Sequence, residues 1–449
     1  FGSSLSQGRS HCLHPASIAM EEACGKIKSQ VSAVQVRVNW HVLAICVSTN
    51  HGCVTTPLIF ATTLLDERVG YYGSALLYVS TCLCSLFTSV PIIFALGQRS
   101  ALLLAMLAYS TYVGLFALAT LLPAGSTGQY GVFLAGSCLG GAAASLLWTS
   151  QGGYLSRSSI ALADATGCTL ERATAKHASI FAVYYLLFEV AFKLFASVAL
   201  QYDLHAWLVF AICLAFGVAA SFGALTLHDF RPGSAGVSMS ARLLGALAIW
   251  PDPALWCLAP ANLTFGFSAA FLNGYVNAVY TKPQLGQEYV GYLSTATAFI
   301  AAVFAQLFGM GAMRSGRKGP FLFIGALCFL AIPVIVLVVG SDQWGFLLVV
   351  PYVLQGCGRA VYESTNKGVL ADFFEGDRSD GAFANQMMQA TLSFAVAFFC
   401  SATLSRKVLA CIILTLASLT FPGFLVAHRL RKMQAKEHES EVSSASWSS

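Results

Sequence analysis

The chain has 449 residues, 57% of them hydrophobic and only 10% charged, with a mean hydropathy of +0.69 and a formal net charge of +5. Soluble domains carry charge at about a quarter of their positions, so this composition excludes a soluble globular protein and indicates a polytopic membrane protein. The 14 cysteines show no CxxC spacing of a zinc or redox site and read as small buried hydrophobes.

Residues 1–37 form a polar tail with Arg9, Lys26, Lys28 and Arg37. His11, Cys12 and His14 lack a second ligand group, so no metal is expected there, while Cys12 and Cys24 are weak candidates for palmitoylation. Nothing before Asn39 has the apolar core of a signal peptide, so the chain is either a fragment or uses its first span for insertion.

Crossing about 30 Å of hydrocarbon takes roughly 20 helical residues. About twelve segments of that kind follow, near 38–64, 70–96, 101–122, 129–155, 177–200, 204–227, 254–281, 288–312, 319–340, 344–371, 381–403 and 407–428. The longest break, residues 228–253, holds Pro232, Gly233, Pro251 and Pro253 and reads as a linker between six-helix bundles at 38–227 and 254–430, with a tail at 431–449. The expected fold is an all-α polytopic membrane protein with about twelve transmembrane helices in two pseudo-symmetric six-helix bundles.

Lysine and arginine sort by side. With both termini cytoplasmic, the inner loops hold Arg99, Arg157, Arg172, Lys176, Arg242, Arg314, Arg317, Lys318 and Arg378, among others, and the outer loops only Arg68, Lys282, Arg406 and Lys407. Arg406-Lys407 is the unexplained exception. The net charge is thus a topology signal and gives no reason to invoke nucleic acid. The chain is expected to be integral and multi-pass, with plasma membrane and endomembrane both open.

An internal repeat accompanies the two halves: Leu147 to Leu155, in span four, lies over Tyr362 to Leu370, in span ten, with Glu363 in Trp148's place. Polar residues inside spans concentrate in four places. Span one carries Ser48-Thr49-Asn50-His51, span four Trp148 to Gln151, span seven Asn262, Asn273, Asn277 and Tyr280, and span ten Arg359, Glu363 and Asn366. A charge in hydrocarbon costs about 2.5–3.5 kcal/mol, so these side chains must face protein or a wet interior. Span five adds an intramembrane ion pair, Glu189 and Lys193, at the i,i+4 spacing that also joins Arg359 to Glu363 and Glu363 to Lys367, so each pair can neutralise itself within one helix. Glu363, flanked by two cations, can be structural or can bind a proton or cation. His51, the one histidine deep in a span, is either a proton relay or a packing residue, and Trp148 either a stacking platform or packing. Lys367 is expected at the cytoplasmic mouth. Gly136, Gly140 and Gly141 read as sites of close helix approach.

The loop from Gly309 through Met313, Arg314 and Gly316 to Arg317-Lys318 resembles the signature loop of the major facilitator superfamily, with Met313 where an aspartate is usual. Two longer blocks resemble the Unc-93-like family, a divergent branch of that superfamily. One is Gly70-Tyr-Tyr-Gly73 through Tyr112; the other is Leu147-Trp148-Thr149-Ser150-Gln151-Gly152 together with Asn366, Gly368-Val369-Leu370 and Ala382-Phe383-Ala384-Asn385. The resemblance implies a fold in which spans one, four, seven and ten line a central cavity. It makes Asn50, His51, Trp148, Gln151, Asn273, Asn277, Arg359, Glu363 and Asn366 the candidate cavity residues, and Gly309, Arg314, Gly316, Arg317 and Lys318 the cytoplasmic gate loop.

Two function classes follow. One is a transporter-like protein facilitating, or coupling to protons or cations, the movement of a small polar or cationic solute. The other is a non-transporting accessory protein regulating an ion channel or the trafficking of a membrane receptor, since the resemblance implies roles as potassium-channel subunits or receptor partners. The expected contacts are the lipid bilayer, a small solute, proton or potassium ion, and a membrane-protein partner, with no cofactor. No metal-ligand spacing, nucleophile-and-base set or phosphate-cradling loop points to an enzyme.

Overall fold

The computed structural model describes residues 32–229, 245–339, 344–376 and 378–447. The expectations for His11, Cys12, His14 and Cys24, and for most of the linker including Pro232 and Gly233, lie outside the described residues.

Among the described residues, twelve helices of membrane-crossing length follow one another. They are α1 (Ala33–Leu64), α2 (Glu67–Phe87, extended by Ser89–Leu96), α3 (Gln98–Ala119), α4 (Thr127–Thr166), α5 (Leu170–Gln201) and α6 (Ala206–Gly223), then α7 (Pro253–Leu285), α8 (Gln287–Ser315), α9 (Gly319–Val339), α10 (Gly345–Phe373), α11 (Arg378–Thr403) and α12 (Arg406–Trp447). Eleven of them are long and apolar enough to cross a membrane. The remaining one, α11, spans 26 residues but carries Asn385, Gln386, Gln389, Thr391 and Ser393, all buried. Its polar face is turned into the protein, which lowers its hydropathy without exposing those groups to lipid. Serine and aspartate caps begin several helices: Ser32, Asp66, Ser126 and Asp252 each accept a backbone N–H.

The packing repeats with a shift of six. Helix α1 lies on α5 and α6, α2 on α4, and α3 on α4 and α6; α7 lies on α11 and α12, α8 on α10, and α9 on α10 and α12. These are the two pseudo-symmetric six-helix bundles expected from the sequence. They meet where α5 runs along α8 and where α2 and α4 meet α11. Tyr78 of α2 stacks on Phe394 of α11 across that seam, with ring centroids 5.1 Å apart. Within the first half, α4 approaches α2 so closely that a Cβ on Gly141 would sit 2.3 Å from the Leu77 carbonyl oxygen, the role expected of these glycines.

Two stretches open into wider π turns: Phe271–Thr281 near the end of α7 and Val361–Asn366 in the middle of α10. Such turns recur at functional sites.

Candidate functional site

The polar run of α10 meets α5 at the seam between the halves. Arg359 donates through Nη1 and Nη2 to the two carboxylate oxygens of Glu189, at 3.1 and 2.5 Å, and through Nη2 to the Tyr185 hydroxyl at 3.0 Å. Lys193, one turn further along α5, donates to the same carboxylate. Glu363 takes Lys367 Nζ at 2.9 Å and stands 4.0 Å from Arg359 Nε. The i,i+4 expectation is therefore corrected for Arg359, whose main partner lies 170 residues away on another helix. The planar guanidinium fork binds two carboxylate oxygens side by side, a geometry Glu363, one turn along the same helix, does not offer.

An aromatic wall borders these charges. Lys367 Nζ lies 4.2 Å above the Trp148 ring, and Arg359 lies over Tyr185. His51 packs at 5.0 Å from Trp148 and 4.7 Å from Tyr185, ring centroid to ring centroid. Both nitrogens of His51 and both polar atoms of Gln151 are buried with no hydrogen-bond partner among the described residues. Lys367, expected at the cytoplasmic mouth, is instead 5% exposed, because its neighbours Glu363 and Trp148 supply a countercharge and a ring face.

Other candidates fall elsewhere. Asn50 is corrected: it donates to Met106 O, Ser110 Oγ and Gly217 O at 3.0–3.2 Å, tying α1 to α3 and α6. Asn366 donates to Asn262 at 2.9 Å, and Asn262 to Gln389 at 2.7 Å, a clasp joining α10, α7 and α11 within the second half. Asn273 is exposed, and Asn277 donates to the Asn273 carbonyl and accepts from the Tyr352 hydroxyl, so neither joins the charge cluster. Their spacing from Asn262 marks one helical face only in an unbroken α-helix, and the π turn from Phe271 shifts the register between them. Nor is His51 the one buried histidine. His177 of α5 is 1% exposed, with Nδ1 3.3 and 3.2 Å from the hydroxyls of Ser158 and Ser159 and its ring stacked on Trp40.

On the face holding both ends of the helical series, two polar latches close the seam. Asp380, in the first turn of α11, is fully buried and accepts from Arg157 of α4 at 3.0 and 2.8 Å and from Gln98 of α3 at 2.7 Å. Gly153 makes room for it: a Cβ there would fall 1.9 Å from an Asp380 carboxylate oxygen. The second latch is Lys318, which donates to Asp372 at 2.5 Å and to Thr174 of α5 at 2.6 Å, while Thr174 donates to Asp372 at 2.6 Å. Burial pushes the Lys318 ammonium below its ordinary value, opposed by Asp372. Within the gate loop, Gly309 packs against Ser179, Gly316 takes a positive φ of 64°, and Arg314 and Arg317 are exposed, so Lys318 is the loop residue that binds across. With Met313 in the usual acid position, Asp372 supplies the carboxylate that Lys318 binds.

The two most distinctive sequence blocks touch. A Cβ on Gly152 would lie 2.1 Å from the Phe383 ring, and Asn385 accepts from Trp250 Nε1 at 2.8 Å while donating to Ala246 O at 2.6 Å. Sequence reasoning missed Tyr185, Arg157 and Asp380 as partners; the signal was a charge two residues past each repeat block, Arg157 after Leu155 and Asp372 after Leu370. Among the described residues, no group of three or more His, Cys, Asp or Glu side chains is placed to hold a metal ion.

Residues 62–227 match the family model described as "Ion channel regulatory protein UNC-93". The chain is 27% identical over 206 residues to protein unc-93 homolog A of Xenopus laevis, covering 45% of this chain and 44% of that one. It is 25% identical over 383 residues to the Bos taurus homolog A, covering 74% and 80%, and 24% identical over 387 residues to UNC93-like protein 3 of Arabidopsis thaliana, covering 80% and 79%. The match thus spans less than half of the frog relative but most of the other two. Among solved structures, the human organic anion transporter MFSD10 (TETRAN) aligns with a TM-score of 0.61 at 15% identity, over 87% of this chain and 99% of that one. A bacterial homologue of the iron transporter ferroportin, in an outward-facing state, aligns at 0.65 and 13%, over 88% and 99%. At such identities the structural likeness is one of fold. The chain is thus similar to UNC-93 proteins in sequence and to these two transporters in fold.

Proposed function

We propose that the chain is a transporter-like membrane protein that moves a small polar or charged solute between its two halves by rocking them about the seam. The observation that carries this reading is the buried Arg359–Glu189 ion pair, which joins α10 of one half to α5 of the other near the middle of α10. A bridge that must break when the halves part is a natural competitor for a charged solute. His51, buried with neither ring nitrogen bonded and packed against Tyr185, is the group suited to carry a coupled proton. The lysine and arginine bias supports cytoplasmic termini, which puts both latches on the cytoplasmic side.

The matched family's description as an ion channel regulatory protein favours the other reading, an accessory protein that regulates a channel; a role in the trafficking of a membrane receptor belongs to the same class. The test is flux through the purified full-length chain in liposomes under imposed proton and potassium gradients. Transport predicts measurable wild-type flux that falls at least about tenfold in Arg359→Gln, the loss of about 1.4 kcal/mol or more of solute binding. Absence of wild-type flux, with cross-linking in native membranes capturing one stable channel or receptor, would decide for the accessory role.

A further inference from the structure

We infer that the central cluster is an anion site, shaped for an organic monoanion with a flat apolar body such as an aromatic carboxylate. The inference rests on the proposed solute site but not on transport itself.

The first argument is charge arithmetic. Lys193, Arg359 and Lys367 face Glu189 and Glu363, three cations against two carboxylates. A net positive charge buried midway through a membrane protein is costly, and one bound monoanion brings the cluster to zero. A bound cation would raise it to two.

The second argument is the state of the donors. Glu189 is shared by Lys193 and both Nη atoms of Arg359, so two cations divide one carboxylate. Arg359 Nε has no hydrogen-bond partner, and the Arg359 side chain, at 16% exposure, is the most accessible of the five. His51 and Gln151, 7% and 1% exposed, are likewise unpartnered. Buried polar groups left without partners cost about 1–3 kcal/mol each, which marks them as places a ligand can satisfy.

The third argument is the wall. Trp148, Tyr185, Phe181 and Tyr109 make ring contacts with one another or with His51 beside the charges. Rings of this kind bind a flat apolar body through offset or edge contacts while the cations take its charged end. The anion and the ring together define the class of solute; the cationic solute expected from the isolated Glu363 motif does not fit the charge count.

The full chain in nanodiscs of zwitterionic lipid, where no headgroup carries a net negative charge, tests this by equilibrium dialysis with benzoate, chloride, tetraethylammonium and potassium, backed by thermal shift. Benzoate should bind saturably and more tightly than chloride. Lys193→Gln, which makes the cluster neutral, should weaken benzoate about tenfold or more, and Glu363→Gln, which adds a positive charge, should tighten it several-fold. That opposite response cannot come from misfolding, since a damaged protein does not gain affinity. The inference falls if wild type retains a cationic probe and no benzoate, if chloride binds as well as benzoate, or if Glu363→Gln weakens benzoate as Lys193→Gln does. Benzoate binding without flux would leave this site standing and remove transport; potassium flux without benzoate binding would do the reverse.

Discussion

The two latches on the termini face occupy corresponding places in the two halves, yet their charges are arranged differently. Laying Leu155 on Leu370 puts Arg157 on Asp372, so the position that carries a cation in α4 carries an acid in α10. In the first latch Arg157 and Asp380 belong to opposite halves, and the ion pair itself crosses the seam. In the second, Lys318 and Asp372 both belong to the second half, and the first half contributes only the Thr174 hydroxyl. One side of the seam is therefore held by an ion pair that spans it and the other by a hydroxyl hydrogen-bonded to an ion pair lying within one half. The spanning pair resists separation more strongly and leaves a costlier remnant when broken.

The largest effect is expected from Asp380→Asn, which takes away the buried carboxylate that accepts from Gln98 and from Arg157, its side chain only 9% exposed. Breaking a buried pair by removing one partner costs about 3–5 kcal/mol, so the detergent-solubilised protein should melt markedly lower, with partial recovery on adding Arg157→Gln. A loss under about 1 kcal/mol would show that the spanning pair does not hold the seam. Asp372→Asn should cost less, about 2 kcal/mol, because the carboxylate is 14% exposed and Lys318 keeps Thr174 and the Gly368 carbonyl as acceptors. Denaturant midpoints should order the two variants, and reversal of that order would overturn the comparison. Thr174→Val removes the cross-seam hydroxyl and should cost about 1.5 kcal/mol, the low end for hydrogen bonds to charged groups. Its more specific signature is faster cysteine cross-linking between α5 and α10 with little change in overall melting.

The smallest effect concerns Glu375, just beyond α10, whose carboxyl is pushed above 4.5 by burial and by Asp372 and Glu171. The folded chain holds that proton more tightly than the unfolded one, so the group stabilises fully below 4.5 and loses this contribution as pH rises through its raised value. Glu375→Gln should flatten stability over that window and slightly favour the fold at neutral pH. An unchanged pH profile would remove Glu375 from the latch's electrostatics.

The sequence made the spans legible because hydropathy is local. Helix α11 shows the limit of that signal: it counts among the apolar segments, at 381–403, although its buried polar face makes it less apolar than the other eleven. The repeat was legible too, since Gly153 and Gly368 correspond in the matched blocks, although what Gly153 serves is room for Asp380 of the other half. The site was only partly readable, for a physical reason. Spacing along one helix proposes partners one turn away, whereas Arg359 is bound by Glu189 on another helix and Lys367 is covered by Trp148. Asn50 shows the same limit in reverse, an asparagine in a polar run that turned out to bind three backbone or hydroxyl oxygens of its own bundle.

The π turn Val361–Asn366 stands between Arg359 and Lys367. A π turn holds one residue more than the α turn it replaces, and successive residues of an α-helix are about 100° apart. Returning that extra residue to regular α geometry would swing Arg359 by about that angle relative to Lys367 and lengthen the helix by roughly 1.5 Å. The guanidinium would leave Glu189 while Lys367 kept its place over Trp148. The π turn thus sets the register that aims Arg359 across the seam at Glu189.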